Sequence, residues 1–94
     1  MSDKLAKDIQ RGERAKAILA DDLMVEARAH IEGECWRLFK ETSPQDMETL
    51  AFVKAMQYYH AKYFGFLERA VSDGKLAQIN LEARKKTLRE RMFG

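Results

Sequence analysis

The chain has one proline, Pro44, and few β-branched residues. A composition so poor in strand formers argues against a sheet-built domain. Its lone cysteine, Cys35, has no partner for an internal disulfide. That fits a reducing compartment and a small buried thiol rather than a redox pair. The five glycines are scattered, with no glycine-rich phosphate loop, dinucleotide fingerprint or zinc-type cysteine cluster among them. No apolar run approaches the ~18 residues that a membrane span requires. The opening Met1-Ser2-Asp3-Lys4 lacks the apolar stretch of a secretion signal. These absences lead to the expectation of a cytoplasmic protein with no cofactor, no membrane partner and no evident small-molecule substrate.

What is present favours helix. Alanine, leucine, glutamate, lysine, arginine and methionine dominate the 94 residues, and each of them is a strong helix former. A chain of this size hides a small share of its surface, so association with copies of itself is a common remedy. Net charge is only +2, but the charges are segregated. Residues 20–50 carry eight acids against three bases, whereas residues 84–94 carry Arg84, Lys85, Lys86, Arg89 and Arg91 against Glu90 alone. The middle is acidic and the end is basic.

The fold expected is all-α: an antiparallel helical hairpin with an additional N-terminal helix and a short basic C-terminal helix, in one domain of residues 1–94. Ser2 or Asp3 can cap the first helix. Its apolar positions Leu5, Ala6, Ile9, Ala15, Ile18 and Leu19 recur at helical spacing. Gly12 weakens it by about 1 kcal/mol relative to alanine, so fraying is expected over residues 1–10. Asp21 and Asp22 offer a second cap.

Across residues 23–41, Met24, Ala27, Ile31, Cys35 and Leu38 step by three and four onto one stripe, which Trp36 and Phe39 widen. Thr42-Ser43-Pro44-Gln45-Asp46 then reads as a helix start. Ser43 would accept from the Asp46 amide, and Pro44 would take the first helical position. A connection so short makes the flanking helices antiparallel neighbours. Ser72-Asp73-Gly74 reads as the end of the second arm, with Gly74 closing it in the left-handed conformation. The arm of residues 43–72 is then about 43 Å long against about 30 Å for its partner. A last, peripheral helix would begin near Leu76, and residues 75–94 are expected to be peripheral or mobile.

The long arm is crowded with aromatics. Phe52, Met56, Tyr59, Tyr63, Phe66 and Ala70 form a stripe, and Leu50, Val53, Phe64, Leu67 and Val71 extend it sideways. One partner helix covers only part of so broad a surface. Either the N-terminal helix or a second subunit covers the remainder. Phe52, Met56, Tyr59, Tyr63, Phe64 and Phe66 are therefore the candidate interaction residues. Gly33 and Gly65 are expected to mark close helix crossings.

Chemistry is thinner. His30 shares a helical strip with Glu26 and Glu34, but Ala27 and Gln57 stand where a di-iron bundle places the glutamate of its Glu-x-x-His pair. A surface histidine supported by neighbouring acids fits better. Cys35 and His60 lack a third group to orient them as a nucleophile and base. Arg84, Lys85, Lys86, Arg89 and Arg91 are the candidate nucleic-acid contacts, able to neutralise a few phosphates without sequence preference. A solvated tail is the competing reading of the same cations.

Arg11-Gly-Glu-Arg-Ala-Lys-Ala-Ile-Leu19, Glu26-Ala27, Ile31-Glu-Gly-Glu-Cys-Trp36, the break at residues 42–46 and Gly74-Lys-Leu-Ala77 together resemble a small helical protein encoded among the structural and packaging genes of tailed bacteriophages. The resemblance covers about residues 11–77 and carries no catalytic residues. It implies a non-enzymatic interaction or assembly protein in the host cytoplasm or the virion, partnered by itself or another protein. The alternative it implies is a DNA-packaging factor similar to small terminase subunits, although no helix-turn-helix precedes the hairpin. A third reading is an inhibitor docking its acidic middle on a basic protein.

Overall fold

The computed structural model describes residues 2–93, Ser2 by its backbone alone, and is all-helical. The described residues form α1 (Ser2–Ala20), α2 (Asp22–Glu41) and α3 (Met47–Phe93). The cap expected of the Ser2 hydroxyl lies outside the described side chains, while Asp3 falls within the first turn of α1. Asp21 alone separates α1 from α2. Its carboxylate accepts from the amides of Leu23 at 3.0 Å and Met24 at 3.2 Å, satisfying two donors that the start of a helix leaves without partners.

Two expected boundaries are corrected. The Ser43 carbonyl, not its hydroxyl, accepts from the Asp46 amide at 3.0 Å. Ser43 to Asp46 is thus a β-turn with Pro44 at the position its fixed φ suits, and helix begins three residues later than Pro44. Asp46 is the cap, taking the Thr49 amide at 3.1 Å. The second correction is larger. Ser72, Asp73 and Gly74 do not end a helix, because α3 runs through them to Phe93. Among the described residues no glycine has a positive φ. Gly74 is there for closeness rather than for a left-handed turn.

The chain divides into two compact units, Met1–Ile18 with Leu67–Gly94 and Leu19–Phe66. In the first, α1 lies against the later part of α3. A Cβ on Gly12 would sit 2.9 Å from the Gly74 Cα and 3.0 Å from the Ala70 carbonyl oxygen. Reciprocally, one on Gly74 would sit 2.9 Å from the Gly12 Cα and 3.0 Å from the Asp8 oxygen. Backbone meets backbone, and buried Ala15, Ala70 and Ala77 flank the contact. Small residues let helices approach this closely, and the dispersion contacts between the two backbones replace those of larger side chains. Gly33 and Gly65, expected at crossings, have nothing within 4 Å of a Cβ position. The crossing belongs instead to Gly12, where the sequence suggested only a weak point.

The second unit packs α2 on the first part of α3 around buried Cys35, Val53 and Phe64. Met24, Leu38, Leu50 and Met56 are half-buried beside them. Arg28 lies over the Phe64 ring at 4.5 Å and Glu32 reaches His60 at 3.3 Å. Contacts advance along α2 as they recede along α3. Three buried residues make a slight core for 48 residues, and large apolar side chains are left outside it.

Candidate interaction surface

The inner row of α3 in the second unit is Val53, Met56, His60 and Phe64, stepping by three and four. Phe52, Tyr59 and Tyr63 each precede a member of that row by one residue, and Phe66 falls on the same line. One residue is a rotation of about 100°, so these four rings lie on one side of the unit. They are 57–70% exposed. Of the six candidate interaction residues, Phe64 is therefore core and Met56 half-buried, while Phe52, Tyr59, Tyr63 and Phe66 face outward. The expected stripe was displaced by one residue, with its supposed flank, Val53 and Phe64, at the centre.

The same reading applies to α2. Leu23, Ala27 and Glu34 precede inner residues Met24, Arg28 and Cys35 by one. Because the two helices run in opposite directions, these residues share the side of the outward rings. Val25, Trp36 and Phe39 follow inner residues by one and take the opposite side. There Trp36 and Phe39 stack at 5.9 Å and Lys40 lies 5.6 Å from the Trp36 ring centre. The unit thus has two apolar sides, the one bearing Phe52, Tyr59, Tyr63 and Phe66 being the broader.

Charges edge this broader side. Arg37 is clamped by Glu34 at 2.7 Å and Glu41 at 2.8 Å. The hydrogen bond from Arg37 holds the Glu34 carboxyl below its ordinary range, and the two acids hold Arg37 above its own. Glu48 lies one turn before Phe52 on the same line. With Glu34, Glu41 and Glu48 against Arg37, the rim is net acidic.

Sequence reasoning missed the polar seam between the helices. Glu32 takes the His60 ring N–H at 3.3 Å and the Arg28 Nε–H at 3.3 Å, and His60 meets Phe64 edge-on at 4.8 Å. The His60 hydrogen bond first, and Arg28 second, lower the Glu32 pKa from 4.5. No spacing rule links residues 28 apart, so this pairing leaves no local signal. Cys35 is buried and His30 exposed. Among the described residues, no group of three or more His, Cys, Asp or Glu could hold a metal ion. None of the described helices is long and apolar enough to cross a membrane.

In the first unit the candidate nucleic-acid residues Arg84, Lys85, Lys86, Arg89 and Arg91 are all exposed. With Gly12 level with Gly74 and the helices opposed, α1 comes to its first residue near residue 84. Among the described residues, no part of α1 lies beside the last turns of α3. Leu88 and Met92, which continue the line of Ala77 and Leu81, are consequently 59% and 66% exposed. At 100° per residue, Arg84 and Arg91 flank this line on one side and Lys85 and Arg89 on the other. Nearer the crossing, Ile9, Val71 and Ile79 line an open groove of about 410 Å³ edged by Glu13, Lys16 and Lys75.

No family model matches the chain, and no curated protein or solved structure matches it either.

Proposed function

We propose that this chain is a non-enzymatic interaction and assembly protein whose α2–α3 hairpin docks on a protein partner, another copy included, through the side bearing Phe52, Tyr59, Tyr63 and Phe66. The resemblance to small helical phage proteins suggests the setting: the host cytoplasm or a virion under assembly. One observation carries the reading. Four aromatic side chains of about 200 Å² each, some three-fifths exposed, present about 500 Å² of contiguous apolar surface. That equals the largest patch on a typical monomer before Leu23 and Ala27 are added. Light scattering after size-exclusion chromatography tests self-association. The expected result is a mass that rises with concentration and falls back when Tyr63→Asp and Phe66→Asp are combined. A chain of 10.9 kDa at every concentration, with no partner recovered that the double variant loses, would remove the reading.

The five exposed cations of the uncovered α3 end favour a second reading, a nucleic-acid-binding packaging or regulatory factor. None of them is ion-paired among the described residues. Duplex affinity should then fall steeply with salt and with neutralisation of Arg84, Lys85, Lys86, Arg89 and Arg91. No binding at low salt removes it.

A further inference from the structure

We infer that the occupant of the aromatic side is the basic C-terminal segment of α3 from a second copy, so that copies join head to tail. The inference rests on the self-association proposed above and adds which surface meets which. Leu81, Leu88 and Met92 form a narrow line only one residue wide, the seam of a helix that packs on other helices rather than a broad face. Its flanks, Arg84 with Arg91 on one side and Lys85 with Arg89 beside Glu82 on the other, are both net cationic, and Glu90 lies behind. Two such segments paired with each other would set like charges along both edges. Two aromatic sides paired face to face would oppose the acidic rims formed by Glu34, Glu41 and Glu48. The cross-pairing alone sets cations against acids and an apolar seam against an apolar slot.

Dimensions agree. Leu81 to Met92 spans about 17 Å of helix and Phe52 to Phe66 about 21 Å, so the seam lies within the slot. With about 500 Å² contributed by the aromatic side and a narrower seam opposite it, the contact falls below the ~1,200 Å² of standard interfaces, among the weak and transient ones. Association is consequently reversible, dependent on concentration and weakened by salt. A head-to-tail contact uses different surfaces on the two copies, so one copy keeps its tail free and the other its slot, and the contact repeats into a ring or an open row.

Two variants that retain their helical circular dichroism separate the alternatives. A tail variant carries Arg84→Glu, Arg89→Glu and Arg91→Glu. A slot variant carries Tyr63→Asp and Phe66→Asp, or Tyr59→Ser and Phe66→Ser if the aspartates unfold it. Light scattering should find the unaltered chain growing in mass with concentration, each variant alone at 10.9 kDa, and their equimolar mixture forming a 1:1 complex and nothing larger. Raising sodium chloride from 50 to 500 mM should dissociate that complex. A tail variant that still self-associates like the unaltered chain overturns the assignment in favour of slot-to-slot pairing. A mixture that stays monomeric while the unaltered chain associates overturns it in favour of another surface. An unaltered chain that never associates removes the self-association beneath it.

Discussion

Replacing Gly12 by alanine places a methyl carbon 2.9 Å from the Gly74 Cα and 3.0 Å from the Ala70 carbonyl oxygen, where ordinary contact is 3.4–4 Å. Neither obstacle is the movable end of a side chain. The helices must part by about 0.5–1 Å, a gap that forfeits a quarter to a half of the attraction across it. Overpacking of this kind costs about 1–3 kcal/mol, and the rigid backbone puts the value near the upper end. Alanine returns about 1 kcal/mol through its helix propensity. The net loss is about 1–2 kcal/mol, or a melting temperature lower by roughly 5–10 °C in a chain of this length. Gly33→Ala and Gly65→Ala meet nothing within 4 Å and should be stabilising by about 0.5–1 kcal/mol. Thermal unfolding of the three variants, followed by circular dichroism at one low concentration so that association does not enter, reads the difference. A Gly12→Ala variant that melts at or above the parent would refute the crossing.

Phe64→Ala should be destabilising by about 3–5 kcal/mol, whereas Tyr63→Asp, next to it but outward, should change the unfolding free energy by about 0.5 kcal/mol or less; urea denaturation compares them, and equal losses would mean that the inner row has been misplaced. Glu32 has a pKa below 4.5 when folded, so the stability it adds is present above that pH and is lost as the pH falls through the lower folded value. Glu32→Gln should therefore flatten the acid limb of a melting-temperature profile and leave its neutral limb parallel to the parent's, and an unchanged acid limb would count against the Glu32–His60 contact.

How much of this was legible before the structure depends on the range of the forces concerned. Helix class follows from composition, and the Asp21 cap from a local rule. At Ser43 and Asp46 two residues compete to cap, and the turn that Pro44 favours decides for the later one. Gly74 was misread because a glycine after Ser-Asp has two physical uses, a left-handed turn or a close approach, and only the Gly12 backbone chooses between them. The spacing of Gly12 with Ala15, and of Ala70, Gly74 and Ala77, was the available signal for that approach. The aromatic stripe illustrates a different limit. Two adjacent helical lines, one through Phe52, Tyr59, Tyr63 and Phe66 and one through Val53, Met56, His60 and Phe64, have similar periodicity. Hydrophobicity favours the first, yet the second faces α2, where Glu32 and Arg28 receive His60 and Phe64.

The reciprocal contact of Gly12 and Gly74 also bears on how this sequence can drift. A clash in an ordinary core is relieved when the residue opposite loses a methyl group, so a harmful change at one position acquires a suppressor at another. Here the residue opposite is already glycine, and what it presents is main chain. Shrinking a side chain offers no compensation, and neither position can vary first and await the other. A screen for second-site revertants of Gly12→Ala should return the original glycine or changes that strengthen the pairing of α1 with α3 elsewhere, and none at Gly74.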